Sequence, residues 1–410
     1  MTASQLLAYI CAALLLQLVV GIGVVVWRRR GDAAALPLAA AGVSPATSSG
    51  AWAGWREFRV ARRAFEDEAR TQCSFHLEPI DGAPLPPFKP GQFLTFDLRV
   101  ADTEAGEQRA ITRCYSLSDR PDPAGYRVTI KRVPPPADHP ELPPGVSSTH
   151  FHDQVHEGDV LRVRAPAGQF VIDPDANVPA VLIAGGIGIT PMMSMLRWCL
   201  SEQPTRIVHL YYGLRHGSEH AFKQTLEELA ASSPNLHLHV AYSRPGADDQ
   251  QGRDFRHAGH VDVDLLQRTL PPIRHQFYVC GPPSMMASLL PALSAWGVPT
   301  QDVHHEAFGP ASAQATSAGA APALAAPVEV KFSRSGRTLV WDGHDPTLLD
   351  FAERYGVAVE SGCRSGSCGS CETGLVSGSV HYAHKPDHDI APGHCLLCVG
   401  TPKSALVLEA

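Results

Sequence analysis

The sequence predicts a multidomain protein: an N-terminal transmembrane helix, an antiparallel β-barrel, an α/β domain with a parallel sheet, and a small C-terminal domain built around a cysteine loop. Three observations predict it. The run Leu6–Trp27 holds 22 residues and no charge, enough to cross ~30 Å of hydrocarbon as a helix. Further along, short alternating apolar runs give way to apolar strands separated by amphipathic stretches, the change of period expected between a barrel and a parallel α/β sheet. Finally, five of the ten cysteines fall in the last 48 residues, which points to one local metal or cluster site and away from a general disulfide scaffold.

The chain has 410 residues, with 44% apolar and 18% charged side chains, the composition of a globular protein of two or three domains. A net charge of −7 gives no sign of nucleic-acid binding. Residues 1–30 form the anchor. Its positive charge, Arg28-Arg29-Arg30, follows the apolar run, unlike a cleaved signal peptide. The positive-inside rule then expects a single-pass protein of the inner (cytoplasmic) membrane with everything after Arg30 in the cytoplasm. Without a histidine, the span offers no haem ligand. Residues 31–54 and 311–327 are rich in Ala, Ser, Pro and Gly and are expected to be flexible linkers.

Residues 55–173 carry runs such as "QFLTFDLRV" and "YRVTIKRV" between Pro/Gly-rich breaks, the barrel pattern. Within them "RCYSLSD" offers Arg113 for a phosphate, Tyr115 to stack on a flat ring and Ser116 to hydrogen-bond a ring nitrogen. Each also has a plain reading as a surface charge, a core aromatic and a strand hydroxyl. Downstream, "PPGVSSTHFHDQVHEGDVL" sets hydroxyls and amides before an expected helix, an arrangement suited to phosphate. Residues 174–310 alternate "AVLIAGG", "MMSMLRWCL", "RIVHLYYG" and "FKQTLEELA". The turn "AGGIGITP" at the first strand–helix junction lets backbone approach a pyrophosphate at a helix N-terminus. "FYVCGPPSMM" ends a strand at the carboxyl edge, where open α/β sheets bind ligands.

In residues 328–410, Cys363-x4-Cys368-x2-Cys371 is the plant-type iron–sulfur spacing and differs from paired zinc knuckles. A fourth thiolate has to come from "CLLCVGTP", where Leu396, Cys398 and Pro402 fit the Leu-x-Cys-x-x-x-Pro pattern and favour Cys398 over Cys395. The intervening Gly and Ser let the loop wrap a cluster and aim amides at its sulfurs. Zinc, a cytoplasmic disulfide and Rieske-like ligation through His381, His384, His388 and His394 are the rivals; with four thiolates placed, these histidines are expected in solvent. "DPTLLDFAERYGV" is expected to form one amphipathic helix.

Residues 55–310 resemble the ferredoxin–NADP reductase superfamily and are similar, more narrowly, to the reductase half of flavohaemoglobins. The features that carry this are "WREFRVARR", "FKPGQFL", the Arg-x-Tyr-Ser motif at Arg113, "GVSSTHFHDQVHEGDVL", the Gly-Gly-x-Gly-x-Thr-Pro turn at Gly185, Cys-Gly-Pro at Cys280 and "HHEAFGP" at His304, in that order. The resemblance implies an FAD-binding barrel and an NAD(P)H-binding α/β domain. It implies that Arg113 binds the flavin pyrophosphate with help from Ser148, that Tyr115 packs on the isoalloxazine, that Ser116 lies near N5 and that Phe308 covers the flavin. Gly185, Gly186, Gly188 and Thr190, with Cys280, Gly281 and Pro282, receive the nicotinamide dinucleotide. Ser116, Cys280 and Glu306 line the hydride path, with Cys280 a marker of position and not a nucleophile. The globin half of flavohaemoglobins has no counterpart here, so their oxygen-dependent nitric oxide chemistry does not carry over.

Residues 328–410 resemble a plant-type 2Fe-2S ferredoxin, which implies an α+β (β-grasp) fold. The order flavin, nucleotide, ferredoxin is similar to the reductases of Rieske oxygenases and of the hybrid-cluster protein. A nicotinamide releases electrons in pairs, a 2Fe-2S cluster takes them singly, and a flavin does both. The expected function is a membrane-anchored reductase passing electrons from NAD(P)H through FAD and the cluster to a partner protein, an oxygenase, haem protein or other acceptor at the membrane surface. Direct quinone reduction falls in the same class. The alternative is a redox sensor or assembly protein with slow turnover. Arg244 in "YSRPG" and Arg215 stand where a 2′-phosphate can be met, whereas the resemblance to flavohaemoglobins implies NADH.

Overall fold

The computed structural model describes residues 52–101, 108–135, 139–308, 327–383, 385–386 and 388–410. The expected anchor at Leu6–Trp27 and nearly all of both linkers lie outside the described residues; among those described, no helix is long and apolar enough to cross a membrane.

The first domain is built from β1 (Arg56–Phe65), β2 (Gln72–Pro79), β3 (Phe93–Ala101), β4 (Gln108–Ser116), β5 (Tyr126–Lys131) and β6 (Val160–Ala167). They form one sheet in the order β4-β3-β6-β1-β2-β5, with antiparallel pairing throughout. A bridge between Leu117 and Val128 joins its two ends and closes the expected barrel. Alternate residues turn Phe58, Val60, Phe75, Leu77, Leu94, Phe96 and Val128 into a dry interior, as period-2 strands with one buried face require. Helix α1 (Val146–Asp153) closes one end, with Phe151 edge-on to Phe75 and Phe96.

The second domain is a parallel sheet of β7 (Ala180–Gly185), β8 (Val208–Leu214), β9 (Leu236–Tyr242), β10 (His257–Ala258), β11 (Gln276–Cys280) and β12 (Val303–Glu306), in the order β10-β9-β8-β7-β11-β12. The chain order reverses between β7 and β11, the topological switch point at which such sheets open a crevice. Helices α2 (Ile189–Glu202), α3 (Lys223–Ser232), α4 (Val263–Thr269) and α5 (Pro283–Ala295) cover it.

Barrel and sheet share a dense seam. Phe170 and Ile172, beyond the last barrel strand, pack into the sheet's core. Arg197 on α2 pairs with Asp119 at 2.7 Å, and Phe222 N–H donates to Glu66 O at 3.1 Å. Arg206, fully buried, donates to the carbonyls of Asp173 (2.7 Å) and Val178 (3.0 Å) and to Gln276 Oε1 (2.9 Å), so its charge is spread over fixed dipoles of the segment that joins the two domains.

The C-terminal domain has β13 (Val328–Phe332), β14 (Arg337–Trp341), helix α6 (Leu348–Arg354), β15 (Glu372–Ser377), β16 (Val380–Tyr382), β17 (His394–Leu396), β18 (Gly400–Pro402) and β19 (Leu406–Leu408). The main sheet runs β14-β13-β19-β15-β17 over a core of Val330, Phe332, Leu349, Phe351 and Leu406. The helix is shorter than "DPTLLDFAERYGV" promised. Thr347 caps it by accepting from Asp350 N at 3.2 Å, and Pro346 keeps the residue before it extended.

One layer of the nucleotide domain is unusual. His209, His237 and Tyr211 with His239 stack across adjacent strands, with centroids 4.6 Å apart for His209–His237 and 4.4 Å for Tyr211–His239. Burial lowers His209 to about 4 and His239 to about 3, and it lowers His220, inside the same domain, to about 3. All three are therefore neutral in the fold. As pH falls below the ordinary 6.5, the unfolded chain takes up these protons first, so stability is complete above that value and is lost progressively toward pH 4. Each histidine contributes up to about 1.4 kcal/mol per pH unit in that window. Urea unfolding should show a midpoint that drops between pH 7 and 5, and His239→Phe should flatten part of the drop. A midpoint independent of pH over this range would contradict the assignment.

Candidate functional site

The crevice at the switch point encloses about 710 Å³. One wall is the turn after β7. Its first residues, Gly186–Gly188, make one 3-10 turn that runs into α2, and Thr190 Oγ1 closes it by donating to Ile187 O at 3.0 Å. The opposite wall is Cys280–Pro282, after β11, leading into α5. The two walls nearly touch. A Cβ on Gly188 would lie 2.0 Å from Cys280 O, although Gly188 has an unexceptional φ of −60°. A Cβ on Gly281 or Gly185 would strike Met285 at 2.3 and 2.8 Å. Gly188 is thus required by approach of backbone to backbone, and Gly185 and Gly281 leave room for Met285 and Pro282; the amides at the start of α2 are left facing the crevice, a setting that favours a pyrophosphate.

Buried beside the crevice, next to Gly281, Ser116, Cys280 and Glu306 come together. Cys280 and Glu306 are register partners on β11 and β12, and Ser116 Oγ donates to Glu306 Oε2 at 3.4 Å, linking barrel to sheet. All three are buried. Burial, then the Glu306 carboxylate, holds the Cys280 thiol well above its ordinary value; it stays protonated and is no nucleophile. Phe308 stands at the mouth, 36% exposed.

On β4, Tyr115 lies edge-on to Phe96 and Phe151, at centroid distances of 5.8 and 5.2 Å, and its hydroxyl meets Ser147 Oγ at 2.7 Å. Burial pushes it up to about 12, so the hydroxyl remains a donor. Arg113 Nη1 donates to Thr112 O at 2.7 Å; burial, then the Arg364 guanidinium, lowers its value. Ser148 Oγ accepts from Val133 N (3.1 Å) and donates to Gly145 O (2.9 Å). It therefore braces the loop before α1, whose N-terminus carries no side-chain cap and is open to an anion. Ser147, which sequence reasoning passed over, is the hydroxyl that fixes Tyr115. These groups fit a flavin: an aromatic face, a buried serine at the hydride end, and a guanidinium with an uncapped helix start for phosphate.

The cysteine loop is preorganised for sulfur ligands. Cys363 Sγ accepts from the amides of Ser365 (3.4 Å), Ser367 (3.3 Å) and Cys368 (3.3 Å). Cys368 Sγ accepts from Cys363 N at 3.2 Å and Ser370 N at 3.5 Å, and Cys371 Sγ accepts from Cys398 N at 3.4 Å. Such amides stabilise thiolate charge. The Cys398 thiol hydrogen-bonds Cys363 and Cys371, which holds it far above its ordinary value; the Cys371 thiol is lowered, chiefly by that contact. Cys395 points elsewhere, pushed up to about 12 by burial. The structure thus groups Cys363, Cys368, Cys371 and Cys398 and leaves Cys395 as a neighbour. Three of the four thiols lie on a loop whose amides face them and the fourth, Cys398, arrives from beyond β17, a donor set that suits a cluster of two irons. His388 is not simply solvated. It bonds Glu372 Oε2 at 2.7 Å and covers Gly369, whose Cβ would lie 2.3 Å from the ring.

One residue outside the sequence-derived set links the two halves. Cys114, between Arg113 and Tyr115, shares a face of the sheet with its partner Thr95, 3.4 Å away. On that side it meets the cysteine loop: a Cβ on Gly362 would sit 3.3 Å from Cys114 Sγ and 2.8 Å from Cys368 Sγ. Contact with Cys114 is the leading cause that pushes Cys368 up to about 11.

Residues 182–290 match the oxidoreductase NAD-binding domain family, and residues 330–403 match the 2Fe-2S iron–sulfur cluster binding domain. The flavohemoprotein of Halalkalibacterium halodurans is 39% identical over 266 residues, covering 64% of this chain and 63% of that protein. The flavohemoprotein of Rhizobium meliloti is 38% identical over 262 residues, covering 64% and 62%. The chain thus spans less than two thirds of the length of these relatives. Among solved structures, the FAD/NAD binding domain of nitric oxide dioxygenase from Vibrio cholerae is similar with TM-score 0.53 at 30% identity, over 62% of this chain and 98% of that one. Phthalate dioxygenase reductase, described as a modular structure for electron transfer from pyridine nucleotides to 2Fe-2S, is similar with TM-score 0.52 at 29% identity, over 87% and 98%.

Gly188→Ala should slow NAD(P)H-dependent bleaching of the flavin by on the order of 100-fold while leaving the visible absorbance of the cluster intact; bleaching at the wild-type rate would refute the role of the close approach. Cys398→Ser should abolish the cluster absorbance and cytochrome c reduction yet leave hydride transfer to the flavin. Cluster loss in Cys395→Ser with an intact cluster in Cys398→Ser would reverse the ligand assignment.

Proposed function

We propose that this chain, an oxidoreductase of the ferredoxin reductase family with an FAD- and NAD-binding reductase unit and a 2Fe-2S domain, takes electron pairs from a reduced nicotinamide dinucleotide and delivers them singly to a redox partner protein. The observation that carries this reading is the placement of β4. Its end, Ser116, bonds Glu306 at the end of β12 in the nucleotide sheet, and two residues earlier Cys114 abuts the loop that holds Cys363 and Cys368.

The bound flavin would accept a hydride and release electrons one at a time; the chain's residues supply its geometry. The turn Gly185–Gly188 and the start of α2 hold the dinucleotide phosphates. Cys280, small and neutral, forms a dry wall beside the nicotinamide. The Ser116–Glu306 pair can hold a proton at the same point, and Phe308 shields the ring from water. Arg113 and the start of α1 would bind the flavin's phosphate, and Tyr115, clamped by Ser147, would pack against its ring. Cys363, Cys368, Cys371 and Cys398 hold the irons, and the loop amides set how readily the cluster takes up an electron.

The apolar run Leu6–Trp27 with Arg28–Arg30 behind it supports a single-pass anchor in the inner membrane, with the catalytic domains in the cytoplasm and an acceptor protein, an oxygenase or haem protein, at the same surface. Purified full-length chain loaded with FAD and cluster should reduce cytochrome c with NAD(P)H at roughly 10 turnovers per second. Deleting Met1–Arg30 should preserve that rate and lose electron delivery to washed membranes. Equal delivery by both forms would remove the anchoring role, and flavin reduction without turnover would favour a sensor.

A further inference from the structure

Where the barrel meets the cysteine-bearing domain, three polar side chains line up. Thr95 on β3 is buried, and its hydroxyl meets Cys114 Sγ, its register partner on β4, at 3.4 Å. Cys114 in turn lies against Cys368: a Cβ on Gly362 would sit 3.3 Å from the first sulfur and 2.8 Å from the second. The missing side chain of Gly362 is what leaves the two sulfurs free to face each other.

Elementary chemistry fixes the order of donors along this row. A thiol that binds iron gives up its proton, so Cys368 as a ligand can only accept. Within its own loop it faces Cys363 N at 3.2 Å and Ser370 N at 3.5 Å, with the Ser370 hydroxyl 3.3 Å away. From the barrel side, the group that can donate is the Cys114 S–H. With its one proton aimed at Cys368, the Cys114 sulfur is left to accept, and the Thr95 hydroxyl donates to it. Thr95, Cys114 and Cys368 thus form a relay in which each donor has an acceptor. Cys363 differs, because the amides it accepts from, Ser365, Ser367 and Cys368, all belong to its own loop.

Resting on the reading of this chain as a carrier of electrons from flavin to cluster, we propose that Cys114 is a positioning residue for that transfer: its thiol donates to Cys368 across the domain seam and raises the affinity of the cluster for an electron. An added electron puts negative charge on the sulfurs, so a donor stabilises the reduced cluster more than the oxidised one. Cys114 is flanked by Arg113 and Tyr115. The strand that offers groups to the flavin therefore also tunes the group that takes the flavin's electrons, and Thr95 holds the thiol in the orientation this requires.

A redox titration of the full-length protein, loaded with flavin and cluster and followed by the paramagnetic resonance of the reduced cluster, tests this. Cys114→Ala and Cys114→Val should make the cluster roughly 5-fold harder to reduce, the worth of one hydrogen bond, which is ~40 mV for a one-electron couple. Cys114→Ser keeps a donor in place and should stay within ~2-fold of the wild type. An unchanged potential in both apolar variants would overturn the donor role and leave the electron route standing. An equal drop in Cys114→Ser would assign the effect to packing and overturn it as well. Loss of the cluster from both apolar variants would make Cys114 a structural prop of the loop, again against the proposal. A wild-type cluster that NAD(P)H leaves oxidised would instead overturn the electron route itself.

Discussion

Gly188 has backbone angles open to any amino acid, yet a single methyl group there would overlap the carbonyl oxygen of Cys280. This contact between two stretches of bare backbone is the constraint on which the molecule turns. It lets β7 and β11 deliver their carboxyl ends to one narrow slot at the point where strand order reverses. It keeps the start of α2 free of side chains. It also fixes Cys280, and through strand register Glu306, at the depth where Ser116 arrives from the barrel. A larger residue at Gly188 would have to move backbone, not a side chain, and the packed interior offers no slack for that.

The second organising element is β4, a strand used on both faces. Toward the barrel it sets Tyr115 against Phe96 and Phe151; away from it, Cys114 meets the cysteine loop. Strand alternation alone makes this possible, since neighbouring residues point to opposite sides. Two cofactor sites that have to exchange electrons are thus held within one backbone step of each other, and neither domain needs a long connecting helix to reach the other.

The fold was legible wherever short motifs carry backbone demands. The glycine turn, Cys-Gly-Pro and the Cys-x4-Cys-x2-Cys loop each dictate local geometry, so their roles follow from spacing, and the change from period 2 to alternating strands and helices separated barrel from sheet. The two residues between Cys395 and Cys398 suffice to turn one thiol toward Cys363 and Cys371 and leave the other in the core. What remained hidden depends on tertiary neighbours. Cys114 occupies the free position of the Arg-x-Tyr-Ser motif, and nothing in the pattern tells which domain will cover it. The bracing of Ser148 by Val133 N and Gly145 O is a tertiary contact that its motif does not announce. His388 seemed a surface residue because the acid it pairs with, Glu372, lies sixteen positions away. The helix before the cysteine loop is short because Thr347 caps it and Pro346 bars an earlier start, a competition that amphipathic spacing does not register.

Arg206 has a mechanical consequence. Its guanidinium, sealed from water, grips the carbonyls on either side of the barrel-to-sheet connection, and the core shared through Phe170 and Ile172 adds apolar adhesion to that grip. Opening a hinge there would strand a charge in a dry gap, at a cost of several kcal/mol. Barrel and nucleotide sheet therefore behave as a single rigid stator. The cysteine-bearing domain is joined to that stator by one stretch of chain and meets it where the loop at Gly362 reaches Cys114.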